Sequence, residues 1–394
     1  MTAKRDIPSS PEISSSSSAA ANDKPRLETI LNANDFTKAA ERAFTPRTSA
    51  FYSSAATDLV TNSKNRELVR RIMNVDRVDI SRKILGSKSA APFFISPTAL
   101  VGLAHPDGEL ALRRAAANEN IFQCISMSAS FPFNSIVGAV PAKYPFFLQL
   151  YFDKDRLKTK TLLNQARDLG VKAIFRTVDS PTVGKREADE RAAQNDLVGR
   201  AQLDASDKKA GGFGKSMGRF IDKTVMWEDI ATIRRESRAK VVLKGVQTAE
   251  DVKMAVDWGV DAVLLSNRGG RSLDGSQATI LVLLEVRKNY PEAFDKIEIF
   301  IDGGFERGSD ILKAICLGAT AVGIGRPFLY SLSYGQEGAE RLSQILKDEL
   351  ETSMTLLGIT SLDMATPPLV NKLDLDHLVI SSGRDVERRS TSKL

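Results

Sequence analysis

Eight short apolar runs, spaced along the middle of the chain, restrict the possible folds more than any other feature of the sequence. Each run has the length of a buried strand and is followed by a loop or by a stretch with helical periodicity. Strands that alternate with helices are the signature of βα units around a parallel sheet, and eight such units predict a TIM (β/α)8 barrel. The runs cover residues 92–95, 121–126, 146–150, 171–177, 241–244, 260–266, 297–302 and 321–325.

A doubly wound α/β sheet is the alternative fold, because it also alternates strands and helices. It is disfavoured because no Gly-x-Gly-x-x-Gly turn follows the first run. The segment after the fifth run illustrates the expected helices: Thr248 can cap the helix, Glu250 and Asp251 suit its first turn, and Gly259 can end it.

Length and composition exclude several classes of protein. The 394 residues suffice for one barrel of about 250 residues plus tails. A net charge of +6 spread along the chain, without a basic block interleaved with aromatic residues, argues against a nucleic-acid partner. Two histidines argue against a histidine-built metal site. Cys124 and Cys316 lie in apolar runs, which predicts buried, reduced thiols.

The two ends read as tails around one domain, residues 27–380. Residues 1–26 are serine-rich without a core pattern, so we expect them to be disordered. Residues 381–394 form a polar tail that closes with Ser392-Lys393-Leu394, the peroxisomal address. We therefore expect the peroxisomal import receptor as a partner and the peroxisome as the location. No apolar run approaches the roughly 18 residues of a membrane span, so we expect no membrane insertion.

The chemistry of such a barrel lies where its strands end, and the end of the sixth run carries the most informative motif. Residues 266–274 read Ser-Asn-Arg-Gly-Gly-Arg-Ser-Leu-Asp. This resembles the FMN-dependent 2-hydroxy-acid oxidases and dehydrogenases, whose motif reads Ser-Asn-His-Gly-(Gly/Ala)-Arg-Gln-Leu-Asp. The family's histidine is its catalytic base, and the chain has Arg268 in that place. The resemblance extends over roughly residues 45–380, with some eight motifs in the family's order.

The resemblance implies noncovalent FMN as the cofactor and assigns contacts with its ring and chain. Gln149 suits hydrogen bonding to the ring edge, and Lys244 would place a positive charge that stabilises reduced, anionic flavin. The residues that the resemblance aligns with these contacts are Pro97, Thr98, Ala99, Ser126, Gln149, Thr177, Lys244 and Ser266.

The FMN phosphate is expected at the ends of the seventh and eighth runs, where glycine turns and an arginine make a phosphate cradle. The family has an arginine where this chain has Glu306, which predicts weaker phosphate retention, partly relieved by Arg307 one residue later and by Arg326. The residues aligned with the phosphate end are Asp302, Gly303, Gly304, Glu306, Gly325 and Arg326.

The substrate contacts implied by the resemblance include two arginines. Arg186 and Arg271 would bind the carboxylate of a 2-hydroxy acid, since a guanidinium matches a carboxylate bidentately. Tyr151 would direct its hydroxyl at the substrate. Phe51 stands where the family has a tyrosine; it keeps the ring but not the hydroxyl, and Tyr52 could replace it only if the segment slipped by one residue.

Arg268 cannot simply replace a catalytic histidine, because arginine keeps its proton at any working pH. It could pair with Asp179, which aligns with the carboxylate that orients the histidine, bind a second acidic group of a substrate, or hold an anion. Three hypotheses remain: an FMN oxidoreductase with an altered base or substrate, an FMN-binding non-catalytic homologue, and a barrel that has lost FMN.

The resemblance also implies a homo-oligomer, commonly a tetramer. Residues 190–225 are polar and weakly periodic and stand where the family has a mobile loop over the site, which predicts a lid or a disordered segment.

Overall fold

The computed structural model describes residues 24–53, 75–141, 143–182, 184, 186–188, 191 and 220–379. Three predicted segments lie wholly or largely outside these residues. They are the serine-rich tail 1–26, of which residues 1–23 fall outside, most of the segment 190–225, and the tail 381–394 with its Ser392-Lys393-Leu394 ending.

Eight parallel strands form a closed barrel, which confirms the predicted TIM fold. Every barrel strand pairs with the next in chain order, and the last, β10 (Ala321–Ile324), returns to pair with the first, β3 (Phe93–Ile95). Their bounds differ from the predicted runs by no more than two residues at either end. The strands are β3 (Phe93–Ile95), β4 (Phe122–Ser126), β5 (Phe147–Leu150), β6 (Ala173–Thr177), β7 (Lys240–Val246), β8 (Ala262–Leu265), β9 (Glu298–Asp302) and β10 (Ala321–Ile324).

Helices surround the barrel, and the capping prediction for one of them is confirmed. The side chain of Thr248 accepts a hydrogen bond of 3.1 Å from the backbone N–H of Asp251. The α-helices of the described residues are Ala33–Ala43, Pro46–Ser53, Gly108–Asn118, Phe133–Gly138, Arg156–Asp168, Asp229–Ser237, Ala249–Asp257, Thr279–Asn289, Ala293–Lys296, Gly308–Cys316, Arg326–Ser331 and Gly335–Leu357.

Aromatic side chains fill the interior of the barrel towards the amino ends of its strands. Phe94, Phe147, Phe175 and Phe300 are fully buried and contact one another with ring centroids 5.2–6.1 Å apart. Such packing excludes water from the barrel interior. Only the carboxyl ends of the strands are therefore left for polar chemistry.

A two-stranded hairpin that the sequence did not predict closes the amino ends of the strands. Its strands are β1 (Arg82–Ile84) and β2 (Ser87–Ser89). Leu85 at the turn is buried with the aromatic cluster, and its N–H donates to both carboxylate oxygens of Glu298 at 2.9 and 3.0 Å. Glu298 begins β9, so this contact fixes the hairpin to the base of the barrel.

The two cysteines are buried thiols, as the sequence predicts. Cys124 and Cys316 are both buried and free. Among the residues that the structure describes, no group of three or more metal-ligating side chains occurs. No helix within the described ranges has the length and apolar character needed to cross a bilayer.

Candidate active site

A cavity of about 1360 Å³, counting its open mouth, lies at the carboxyl ends of the barrel strands. Residues at or just after the ends of all eight strands line it. It brings together every predicted site residue except Asp179 and Ser266, which lie behind its wall. The predicted residues that line it are Phe51, Pro97, Thr98, Ala99, Ser126, Gln149, Tyr151, Thr177, Arg186, Lys244, Arg268, Arg271, Asp302, Gly303, Gly304, Glu306, Gly325 and Arg326.

Three neighbouring strands contribute a hydrogen-bonded row of polar side chains. Ser126 donates to Gln149 Oε1 at 3.2 Å, and Gln149 Nε2 donates to Thr177 Oγ1 at 2.9 Å. All three residues are buried, and buried polar groups require such partners. The row therefore fixes the amide of Gln149 at the cavity wall.

Lys244 is the centre of a second buried network. Its Nζ donates to Ser266 Oγ at 2.8 Å and lies 3.4 Å from Asp302 Oδ2. Ser96 Oγ also donates to Asp302 Oδ2, at 3.4 Å. The other oxygen, Asp302 Oδ1, is buried and has no hydrogen-bond partner among the described residues. A buried, unpartnered acceptor of this kind calls for a donor from a bound molecule.

Glycine is required at the end of the cavity formed by the turns after β9 and β10, where the sequence predicts the FMN phosphate. Gly303 has φ = +99°, and a side chain there would place its Cβ 2.6 Å from Asn267 Oδ1. Nearby, Arg326 Nη2 donates to the carbonyl of Gly269 at 2.8 Å. This contact fixes the arginine at the edge of the cavity.

The position of Arg307 corrects one sequence-based expectation. Glu306 lines the cavity, whereas Arg307 does not. Its Nη2 lies 2.7 Å from Glu349 Oε1 on the helix Gly335–Leu357. Because Arg307 is held by this pair, Arg326 is the arginine that lines the cavity where the sequence predicts the phosphate.

Phe51 contacts two arginines of the cavity. The guanidinium carbons of Arg271 and Arg186 are 5.2 and 6.0 Å from its ring centroid, within the range of cation–π attraction. Tyr52 does not take over from Phe51, since its hydroxyl donates to the carbonyl of Leu100 at 2.8 Å. Burial raises the pKa of Tyr52 above its ordinary value.

Arg271 is anchored and lies in a positively charged neighbourhood. Its Nη1 donates to the carbonyl of Tyr52 at 2.6 Å. Burial, followed by the charges of Arg186, Arg326 and Arg268, holds the pKa of Arg271 well below its ordinary value. Clustered guanidinium groups of this kind favour the binding of an anion.

Arg268 is held in an uncommon backbone conformation. Its φ is +55°, and its N–H donates to Ser266 Oγ at 3.1 Å. Its side chain lies over the ring of Tyr151, 5.9 Å from the centroid, and Nη1 donates to Ser180 Oγ. Burial opposes its charge, but Tyr151 and Asp179 raise the pKa of Arg268 above its ordinary value. The group is therefore a permanent cation.

Asp179 lies directly behind Arg268. Its side chain is fully buried, and its Oδ1 is 3.8 Å from Arg268 Nη1. Neither carboxylate oxygen has a hydrogen-bond partner among the described residues. The pairing of β7 with β8 shifts register around Gly245, which has φ = +104°. A Cβ there would lie 2.5 Å from that of Asp179, so glycine makes room for the carboxylate.

Sequence reasoning missed several residues that line the cavity. Ser180 is the most informative, because it contacts Arg268 and lies 3.1 Å from Ser272 Oγ. Its position just after Asp179, beyond the end of β6, was the available signal. The apolar residues Ile221, Phe305 and Leu329 also line the cavity and carry no comparable signal.

Comparison with known proteins supports the family resemblance found in the sequence. Residues 40–372 match a family described as FMN-dependent dehydrogenase. The chain is 40% identical over 376 residues to an L-lactate dehydrogenase (cytochrome) of Wickerhamomyces anomalus, covering 92% of the chain and 65% of that protein. It is 36% identical over 353 residues to a peroxisomal (S)-2-hydroxyacid oxidase of Arabidopsis thaliana, covering 86% of the chain and 96% of that protein. The chain thus spans just under two thirds of its cytochrome-type relatives.

Two solved structures are similar to this chain over most of its length. The flavin-binding domain of baker's yeast flavocytochrome b2 is 38% identical and superimposes with a TM-score of 0.81, covering 94% of both chains. Mandelate oxidase is 30% identical with a TM-score of 0.75, covering 86% of this chain and 98% of that one.

Proposed function

Because this chain belongs to the FMN-dependent dehydrogenase family, we propose that it is an FMN-dependent oxidoreductase that oxidises a 2-hydroxy acid. We propose further that Arg268 stabilises negative charge on the substrate instead of removing a proton from it. One observation carries the proposal: a single cavity is lined both by the flavin-type residues Gln149 and Lys244 and by the arginines Arg186 and Arg271.

FMN is the cofactor of the family, and the residues of the cavity fit it. The unpartnered Asp302 Oδ1 can accept from a hydroxyl of its chain. The turn at Gly303 leaves room for close approach to backbone, and Arg326 supplies a positive charge for its phosphate. Lys244 would favour the reduced, anionic form.

The opposite end of the cavity suits the carboxylate of the substrate. Arg186 and Arg271 both contact the ring of Phe51, and the charge of Arg186 helps to lower the pKa of Arg271, so the two guanidinium groups lie near each other. Two adjacent guanidinium groups bind a carboxylate with charge-assisted hydrogen bonds. The substrate would thus be oriented by its acid group.

Oxidation of a 2-hydroxy acid breaks the C2–H bond and the O–H bond and forms the carbonyl of a 2-oxo acid. Bound FMN would supply the acceptor for the two electrons and for the hydrogen of C2. Arg268 keeps its own proton, so the hydroxyl proton leaves to water instead. The fixed charge of Arg268 can still stabilise the negative charge that develops on the hydroxyl oxygen.

Anaerobic mixing of the FMN-loaded protein with a panel of 2-hydroxy acids tests the proposal. Bleaching of the flavin absorbance by at least one of them is the expected result, and it would identify the substrate class. A protein that holds FMN but bleaches with none of them is instead a non-catalytic homologue. A protein that shows no flavin band after soaking in FMN contradicts the cofactor assignment.

We propose the peroxisome as the location, because the sequence contains the Ser392-Lys393-Leu394 tripeptide and the Arabidopsis thaliana relative is a peroxisomal (S)-2-hydroxyacid oxidase. Import by the receptor for this tripeptide would follow, and a homotetramer is the expected assembly. A fluorescent protein fused ahead of the chain should enter peroxisomes and disperse into the cytosol when Leu394 is deleted. An unchanged distribution would contradict the proposal.

A further inference from the structure

We propose that a second cavity, formed by β6, β7 and the helix Asp229–Ser237, binds an apolar carboxylic acid whose carboxylate is held by the buried guanidinium of Arg176. This site lies beside the candidate active site and takes no part in the oxidation proposed above. Three observations support it: the position of Arg176 in an apolar layer, the lack of partners for its guanidinium, and the apolar walls of the cavity.

Arg176 stands in the apolar layer between the barrel and its helices. Phe175 packs in the aromatic cluster inside the barrel and Thr177 lines the candidate active site, so Arg176 between them points outward from the strand. Its register partners on the adjacent strands are Leu150 and Leu243, and both are buried in the core that includes the surrounding helices. A charged side chain between two buried leucines requires a polar partner.

The guanidinium of Arg176 lacks the partners that a buried charge usually has. The residue is 7% exposed, and its Nε is buried without a hydrogen-bond partner among the described residues. Within the same part of the chain it forms no ion pair, and its Cζ lies 5.1 Å from the centroid of the Phe152 ring. Burial lowers the pKa of Arg176 to about 10, and the charges of Asp229 and Asp222 oppose this shift only in part. A bound carboxylate would therefore be stabilised beside it.

The carboxylates that line this cavity do not provide the missing hydrogen bonds. Asp222 Oδ2 and Asp229 Oδ1 each lie 2.8 Å from the guanidinium of Arg156. The other oxygens of these two carboxylates accept from nearby backbone N–H groups at 2.8 and 3.0 Å. Asp251, the third acidic residue of the lining, is exposed. A carboxylate that pairs with Arg176 would thus have to come from a bound molecule.

The walls around Arg176 are mostly apolar. The cavity has a volume of about 1360 Å³ less than a third smaller than that of the candidate active site, about 1060 Å³ counting its open mouth, which suffices for a small organic molecule. A molecule with an apolar chain and one carboxylate matches such walls and the single buried arginine. An inorganic anion would leave the walls in contact with water. The apolar residues that form them include Val225, Trp227, Ile230, Ile233, Leu243 and Val246.

Octanoate is the probe for this site. It is compared with octanamide, which has the same chain without the charge, and with inorganic phosphate, which has charge without the chain. The protein has two tryptophans, of which Trp227 lines the cavity and Trp258 does not. In the Trp258→Phe background the fluorescence of the FMN-loaded protein therefore reports Trp227 alone, and calorimetry gives the stoichiometry.

We expect octanoate to bind about tenfold to a hundredfold more tightly than octanamide or phosphate, as one charge-assisted contact within apolar walls allows. Arg176→Leu should abolish the preference for octanoate over octanamide, and Arg176→Lys should retain part of it. Leucine matches the register partners Leu150 and Leu243, so the fold should tolerate it. Arg271→Gln is the matched control, because it removes an arginine from the other cavity. It should change octanoate affinity less than about threefold.

Equal affinities for octanoate and octanamide, or an octanoate affinity that survives Arg176→Leu, would overturn the inference. So would phosphate that binds as tightly as octanoate, since the apolar walls would then contribute nothing. A signal that Arg271→Gln abolishes would place octanoate in the candidate active site and contradict the second site. If millimolar octanoate changes neither the fluorescence nor the heat, the inference is wrong. The comparison of octanoate with octanamide on the native protein decides even if Arg176→Leu fails to fold.

Discussion

The guanidinium of Arg268 approaches the carboxylate of Asp179 to 3.8 Å; the Asp179 side chain is fully buried, whereas 28% of the Arg268 side chain is exposed. The pair thus places positive charge at the cavity wall and negative charge behind it. The same carboxylate could equally accept a hydrogen bond from an imidazole at residue 268, since neither of its oxygens has such a partner among the described residues. This geometry makes residue 268 the most informative position to change.

Arg268→His should convert the site to general-base catalysis. The imidazole would have Asp179 to orient it, and Arg186 and Arg271 would still bind the carboxylate of the substrate. General-base catalysis contributes about 10²–10⁴-fold, so we expect a gain of that order in kcat/KM for lactate or glycolate. Arg268→Gln, which has neither charge nor base, is the control and should show no gain. If the native protein turns over these substrates faster than Arg268→His, residue 268 belongs to a working site with another base.

The pH dependence of turnover should distinguish the native protein from Arg268→His, whatever the values of their rates. An imidazole changes protonation near pH 6.5, so the kcat/KM of Arg268→His should rise with pH and level off about there. In the native protein Arg268 stays protonated, and the hydroxyl proton of the substrate leaves to water. The native profile should therefore continue to rise with pH, without a bend near 6.5. Stopped-flow measurement of flavin reduction from pH 5 to 9 provides the comparison, and a shared bend would count against the altered role of Arg268.

Phe51→Tyr should add a hydroxyl to the ring that Arg186 and Arg271 both contact, at the end of the cavity where the substrate carboxylate is expected. One hydrogen bond to a charged group contributes about 1.5–3 kcal/mol, equivalent to about tenfold or more in kcat/KM. Combined with Arg268→His, the change should exceed either single substitution. Tyr52→Phe is the comparison variant, because its hydroxyl donates to Leu100 instead of the cavity. A double variant no better than Arg268→His alone would mean that Phe51 does not contact the substrate.

Glu306→Gln should strengthen retention of FMN. Glu306 lines the cavity where the FMN phosphate is expected, and Arg307, which could have offset its charge, pairs with Glu349 instead. Removing one negative charge beside a phosphate should be worth about 1–3 kcal/mol, or about tenfold to a hundredfold in the dissociation constant. Fluorescence titration of apoprotein with FMN measures it. Arg307→Gln should change FMN affinity little, and an unchanged affinity in Glu306→Gln would show that its carboxylate does not reach the phosphate.

The apolar runs predicted the barrel, and the family resemblance then identified most of the residues that line its cavity. An apolar run predicts a strand, and the residues after it then lie at one mouth of the barrel. Contacts between distant segments carry no such pattern. The hydrogen bond of Tyr52 to Leu100 and the pair of Arg307 with Glu349 each depend on packing.

Other features were missed for equally specific reasons. The strands of the hairpin have three residues each, too short for an alternation to be recognised. The left-handed backbone of Arg268 is uncommon for a residue other than glycine. No local rule predicts it, because the turn imposes it through the hydrogen bond to Ser266.

Glu285 should make the stability of the fold depend on pH. It is 2% exposed on the helix Thr279–Asn289 and accepts a hydrogen bond of 2.9 Å from Ala249 N. Its second oxygen, Oε2, is buried without a partner among the described residues. Burial raises the pKa of Glu285 above its ordinary value, although the Ala249 N–H partly opposes the shift. The folded protein therefore holds this proton more tightly than the unfolded chain does.

A group with a raised folded-state pKa contributes stability below its unfolded value, about 4.3, and loses it as pH rises through the folded value. Glu285→Gln keeps an oxygen that can accept from Ala249 but cannot ionise. The unfolding free energy of the variant relative to the native protein should therefore increase between pH 4 and pH 8. Urea denaturation across this range measures the trend. Glu351→Gln, at an exposed position, should show none, and a flat difference for Glu285→Gln would mean that burial of this carboxyl has no effect on stability.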